Sequence, residues 1–246
     1  MLYFECFSGI SGDMSVAALL DLGANQEILL DALNSLKLEG YKIEIGRRQK
    51  CGIDGASFNV LLTNHEHHHR GIIEIEQIID AGELITPKAK DLAKKIFNYV
   101  ARAESLAHAK PIEQVHFHEV GAIDSIIDIV AVAVCIDNLG IDEIAVSTLY
   151  EGQGYAKCQH GKMPVPVPAV VNIAKESGLA IKITNTTAEM ITPTGIAIAA
   201  ALKTAPLPEQ FSIEKVGIGT GQKDFEHANI LRVMKLSSDK KKVPYK

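Results

Sequence analysis

The sequence predicts an α/β class, mixed α+β, built as a layered sheet with packed helices. Three features lead to this. Short apolar runs with a period of two occur near both ends of the chain, longer runs with a helical period carry recognisable starts and stops, and the two kinds alternate throughout. Leu2 to Phe7 reads as a first strand. The glycine-rich turn Ser8-Gly9-Ile10-Ser11-Gly12 follows, and a helix starts near Asp13 and stops at Gly23. Gln26 to Leu38 reads as a second helix ended by Gly40. Tyr41, Ile43 and Ile45 alternate with Lys42 and Glu44, the pattern of a half-buried strand. A turn around residues 51–55 leads into a strand from Ala56 to Leu62.

Residues 64–71 show neither period and read as a loop. Ile72 to Ala81 is a helix. Thr86-Pro87 starts another that runs to His108, since proline at the first helical position gives up only a hydrogen that had no partner there. Ile112 to Phe117 is expected to be extended, and Gly121 to Leu139 a strongly apolar helix. Glu143–Ser147 reads as a strand, Ala169–Glu176 as a helix and Ala180–Ile183 as a strand. A last helix runs from Thr192-Pro193 to Lys203, and Ile213–Gly217 and Ile230–Lys235 close the sheet. Residues 1–236 are read as one domain, with a sub-boundary offered near 105–112 by the Lys110-Pro111 break. Residues 237–246 are read as a polar, disordered tail.

The chain has 246 residues, 47% hydrophobic and 22% charged, which suffices for a core without disulfides. Its net charge is −5, and the sole basic cluster is Lys240, Lys241 and Lys242, so neither nucleic acid nor membrane is expected as a partner. No signal peptide and no apolar run of spanning length is seen, and a cytoplasmic location is expected. Four scattered cysteines without a CxxC pair argue against a zinc ribbon. Cys6 and Cys135 fall in apolar patterns and are expected to be buried thiols.

Four constellations could carry chemistry. His116 and His118 share one side of an extended segment, with Glu119 beside them, and Asp124 and Asp128 share a face of the next helix. Two imidazoles with carboxylates suit a borderline divalent metal; the structural alternative is backbone-satisfied histidines and a helix cap. His65, His67, His68 and His69 sit in the loop and suit capture of a transition metal, or are a solvated loop. Ser8, Gly9, Ser11, Gly12 and Asp13 form a strand-to-helix turn whose amides could meet an anion, although Asp13 would repel one and equally could cap its helix. It lacks the lysine of a phosphate-binding P-loop. Thr192, Thr194 and Gly195, with Glu189, stand at another helix start and could face an anionic ligand, though capping alone accounts for Thr192. The run Pro164-Val165-Pro166-Val167-Pro168 is a stiff connector.

Taken in order, residues 7–14 (FSGISGDM), residues 116–129 (HFHEVGAIDSIIDI), His160-Gly161, residues 164–169, Thr192-Pro193-Thr194-Gly195, and Gly217-Ile218-Gly219-Thr220-Gly221 with Asn229 and Arg232 resemble the LarC-type nickel insertion proteins. The resemblance implies a CTP-dependent cyclometallase, a nickel-inserting lyase. Its reaction places Ni2+ in a pyridinium bisthiocarboxylate mononucleotide to make the nickel pincer cofactor of lactate racemase. On the reading of the residues themselves, His116, His118, Glu119, Asp124 and Asp128 are the catalytic candidates and the two helix-start turns the ligand candidates; the resemblance adds nickel collection by the 65–69 histidines, which correspond to a histidine-rich region of the family. It further implies CTP with Mg2+ or Mn2+ bound by a carboxy-terminal domain or chain, and a homo-oligomer is expected. A metal-dependent hydrolase and a non-catalytic nickel store or chaperone are the competing readings.

Overall fold

The computed structural model describes residues 1–63, 70–115, 123–158 and 161–237. Strand β1 (Leu2–Glu5) turns Leu2 and Phe4 into the main core and Tyr3 to the opposite face, as its alternation requires. Helix α1 (Gly12–Leu22) ends at Gly23, whose φ of 113° closes the helix in the left-handed region. Helix α2 (Gln26–Asn34) is capped by Asn25, whose Oδ1 accepts from the amides of Glu27 and Ile28. It stops four residues short of the expected Leu38, because Lys37 takes a φ of 54° on the way to Gly40.

Strands β2 (Tyr41–Lys50) and β3 (Ile53–Leu62) form a hairpin closed by Cys51 and Gly52 alone, both with positive φ, which is the two-residue turn that matches strand twist. Helix α3 (Ile72–Ala81) precedes α4 (Pro87–His108), where the Thr86 hydroxyl accepts from the Ala89 amide at 3.1 Å. Ile112–Gln114 is a 3-10 turn and corrects the extended reading of that segment: Pro111 supplies the carbonyl for a tight turn. Helix α5 (Ile123–Leu139) is buried along most of its length, and Cys6 and Cys135 are buried thiols.

Strands β4 (Ile144–Val146), β5 (Leu149–Glu151), β6 (Tyr155–Cys158) and β7 (Gly161–Pro164) follow, then helix α6 (Pro168–Ser177), β8 (Ile181–Ile183), α7 (Pro193–Leu202), β9 (Ser212–Thr220) and β10 (Ile230–Ser237). Strands β5 to β7 go beyond the elements expected from the sequence. Ser237, assigned to the tail from sequence, is the last residue of β10; residues 238–246 lie outside the described residues.

Six strands form one mixed sheet in the order β2-β3-β9-β10-β1-β4, with parallel joins at β3·β9 and β1·β4. The mixed α/β class is therefore what the structure shows. Helix α1 lies directly on the sheet, α5 and α7 touch α1, and α4 packs against α5, α6 and α7. The seat for α1 is made by glycines: a Cβ on Gly217 would stand 2.1 Å from the Ala18 oxygen, and one on Gly219 2.0 Å from the Met14 oxygen. Helix backbone thus rests on strand backbone. Among the described residues, no helix is long and apolar enough to cross a membrane.

Candidate functional site

The starts of α1, α5 and α7 converge on one cleft. The turn before α1 is stitched to α7: the Ile10 amide donates to the Met190 oxygen at 3.0 Å, and the Thr192 amide donates to the Ile10 oxygen at 3.1 Å. Glycines make this contact. Gly9 has a φ of 85°, a Cβ there would lie 2.0 Å from the Met190 oxygen, and one on Gly195 would lie 2.1 Å from the Ile10 oxygen. On the other side, a Cβ on Gly12 would meet the Asp128 carboxylate at 2.4 Å. The close approach that the glycines suggested for a ligand is made by the protein's own atoms.

Between these elements lies a cavity of about 310 Å3, walled by Ser11, Asp13, Asp124, Asp128, Glu189 and Thr194, with Gln222 reaching in from the β9–β10 loop. Asp13 Oδ1 accepts from the Met14 amide at 2.9 Å and from the Ser11 hydroxyl, and Asp13 Oδ2 accepts from Gln222 Nε2 at 3.4 Å. The Ser11 hydroxyl is thereby diverted from capping α1. The Thr192 hydroxyl caps α7 by accepting from the Gly195 amide at 3.0 Å. Thr194 is buried against the cleft.

Four carboxylates face this cavity, and no lysine, arginine or histidine is among its described lining residues. Burial pushes the Asp128 carboxyl well above the usual range; the charges of Asp13 and Asp124 push it further, and the Asp13 amide pulls it partly back. Asp124 is exposed as a residue, yet desolvation at the crowded cleft wall is the largest influence raising its carboxyl, with a smaller push from Asp13 and an opposing pull from the Ser125 amide. Helix N-termini make the crowding tolerable, since their partial positive charge favours carboxylates. Chemically, such a cleft can hold a proton on Asp128, accept one, or attract a cation. Among the described residues, no three His, Cys, Asp or Glu side chains are grouped as a bound metal would need.

The structure thus brings together Ser11, Gly12, Asp13, Asp124, Asp128, Thr192 and Thr194 of the residues expected from sequence. Ser8, Gly9 and Gly195 belong to the supporting turns rather than to the cavity wall. His65, His67, His68, His69, His116, His118 and Glu119 lie outside the described residues.

The structure adds two features that the sequence did not signal, a second cavity and the buried Glu151. Glu189 also walls a second, smaller cavity of about 160 Å3, shared with Pro193 and bounded by His108, Lys157, Cys158 and Met163. Glu151, on the unforeseen strand β5, is fully buried. Its Oε1 accepts from the amides of Met190 at 2.7 Å, Gly152 at 2.8 Å and Ile191 at 3.2 Å, and its Oε2 has no partner among the described residues. Burial raises the Glu151 carboxyl, and those three amides pull it partly back.

Sequence comparison places the chain in a family. The family model described as nickel insertion protein matches residues 2–244, and the chain belongs to that family. It is 56% identical over 249 residues to a pyridinium-3,5-bisthiocarboxylic acid mononucleotide nickel insertion protein of Alkaliphilus metalliredigens, covering 94% of this chain and 59% of the relative. It is 44% identical over 254 residues to the protein of the same name from Acetivibrio thermocellus, covering 99% of this chain and 62% of the relative. The chain therefore spans about three fifths of the length of these curated relatives. No solved structure matches it.

Proposed function

We propose that this chain carries the nickel insertion step itself: it delivers Ni2+ to a pyridinium-3,5-bisthiocarboxylic acid mononucleotide, giving the nickel pincer cofactor of lactate racemase in the cytoplasm. The observation that carries the reading is the acidic cleft at three converging helix starts, in a chain of the nickel insertion family. Forming the carbon–nickel bond breaks a ring carbon–hydrogen bond, and the proton must leave on a base. Asp128 and Asp124 are the proposed acceptors, because their raised carboxyls retain a proton more readily than ordinary aspartates. Ser11 and Thr194 offer hydroxyls to the polar parts of the substrate.

Nickel is cargo in this scheme. On sequence grounds, His65, His67, His68 and His69 collect it, and His116, His118 and Glu119 pass it on. The softer thiocarboxylate sulfurs of the substrate then draw it from nitrogen ligands. CTP with Mg2+ or Mn2+ is assigned to a carboxy-terminal domain or chain, and no step here runs through it. A homo-oligomer completes this reading.

The test combines this chain with the carboxy-terminal part of a relative, Ni2+, CTP and the bisthiocarboxylate substrate, and follows the product by its absorbance. Asp128→Asn is expected to slow insertion by about a hundredfold or more, the usual worth of a general base. The pair His116→Ala and His118→Ala is expected to abolish insertion in a folded chain. Wild-type rates in Asp128→Asn and Asp124→Asn would remove the aspartates from the mechanism.

A further inference from the structure

Two lysines that no motif singled out control one of the four carboxylates. Lys50, at the end of β2, is 5% exposed, and its ammonium makes three bonds: to the Gln222 oxygen at 3.2 Å, the Lys223 oxygen at 3.0 Å and Asp224 Oδ1 at 2.5 Å. Asn229 Nδ2 donates to the same Lys223 oxygen at 2.8 Å. The backbone of Lys223 is therefore pinned twice, by a buried cation and by an amide. From that anchor the Lys223 ammonium reaches across to Glu189, bonding its carbonyl oxygen at 3.0 Å and its Oε2 at 3.1 Å. Glu189 stands on the partition between the two cavities, so the lysine acts at their junction.

We propose that Lys223 is a specificity-determining residue of the cleft, engaging Glu189 in an ion pair so that it does not join the three aspartates as a further oxygen ligand for hard cations. The inference rests on the cation-handling reading of the cleft given above. Its physical basis is ligand chemistry. Mg2+ and Mn2+ are held by carboxylate oxygens, and their affinity rises with the number of carboxylates that can close around them. A cleft meant for a cation that arrives with nitrogen or sulfur donors gains nothing from a fourth carboxylate and loses selectivity by offering one. Lys223 supplies the counter-charge that Glu189 would otherwise seek from a metal.

The experiment is a titration of the full chain with Mn2+ alone, reading free Mn2+ by electron paramagnetic resonance. Lys223→Met is expected to tighten Mn2+ binding by about tenfold, the effect of adding one carboxylate to a hard-cation site. Adding Glu189→Gln to Lys223→Met should return binding to the wild-type level, and Lys223→Arg should stay there throughout. Should Lys223→Met fail to fold, Lys223→Gln keeps a donor to Glu189 without the charge and carries the same expectation. An affinity unchanged by removing the lysine, or a gain that survives Glu189→Gln, overturns the proposal. Insertion activity is not read, so a flat Mn2+ result leaves the nickel insertion reading standing, and a failed insertion assay leaves the Mn2+ result standing.

Discussion

Asp128 and Glu151 are both acids pushed upward by burial, yet they are used differently. Glu151 gives one oxygen to three backbone amides and walls neither described cavity that Glu189 shares. Its partners are the amides of Gly152, Met190 and Ile191, so it fixes the strand-like segment that leads into α7. Asp128 has one amide, that of Asp13, and its other neighbours are two like charges beside an open cavity. An acid surrounded by donors is a fastener. An acid surrounded by other acids at a cleft is poised to exchange a proton or meet a cation. The raised carboxyl alone does not separate the two; what faces each oxygen does.

The strongest way to break this comparison is to measure insertion. Asp128→Asn should cost about a hundredfold or more, whereas Glu151→Gln should leave the rate within about threefold, since only the former removes a base. Equal losses would erase the distinction. Next in size is stability: Glu151→Ala should destabilise the chain by about 2–3 kcal/mol in denaturant titration, because three buried amides lose their acceptor. Gly12→Ala should cost about 1–3 kcal/mol, as its Cβ would drive into the Asp128 carboxylate.

The smallest effect sharpens the protonation argument. Folding favours the neutral Asp128, so the stability it contributes is complete below the ordinary carboxylate range and is lost as pH rises through the elevated pKa. Asp128→Asn mimics the neutral form at every pH. Its melting temperature should match the wild type below the ordinary carboxylate range and exceed it as pH rises through the elevated pKa of Asp128. A wild type that gains on the variant as pH rises would show the carboxylate to be the favoured form.

Much of the fold was legible because it depends on neighbours along the chain. Thr86-Pro87 and Thr192-Pro193 announce helix starts through local hydrogen bonding, and both threonine hydroxyls make the expected bonds. The alternation at Tyr41, Ile43 and Ile45 gave β2, although the strand runs on to Lys50. Strands β5 to β7 are not legible in the sequence: β4 and β8 are as short, but they lie in apolar runs, whereas β6 and β7 are largely exposed and mix polar residues without a buried face. Asp124 and Asp128 were paired correctly by their helical spacing. Lys50, Lys223 and Glu151 were passed over, because each looks like an ordinary charged residue until its contacts are known.

The sequence by itself determined the mixed class, most element starts and the family, all of which rest on periodicity, capping and ordered motifs that short stretches carry within themselves. Only the tertiary structure decided that Gly12 makes room for Asp128, that Asp13 faces Asp124, and that a lysine from the β9–β10 loop holds Glu189. The reason is that desolvation and charge proximity depend on which distant segments share a volume. Asp13 and Asp128 are far apart in the chain, and nothing in either local pattern encodes that they meet.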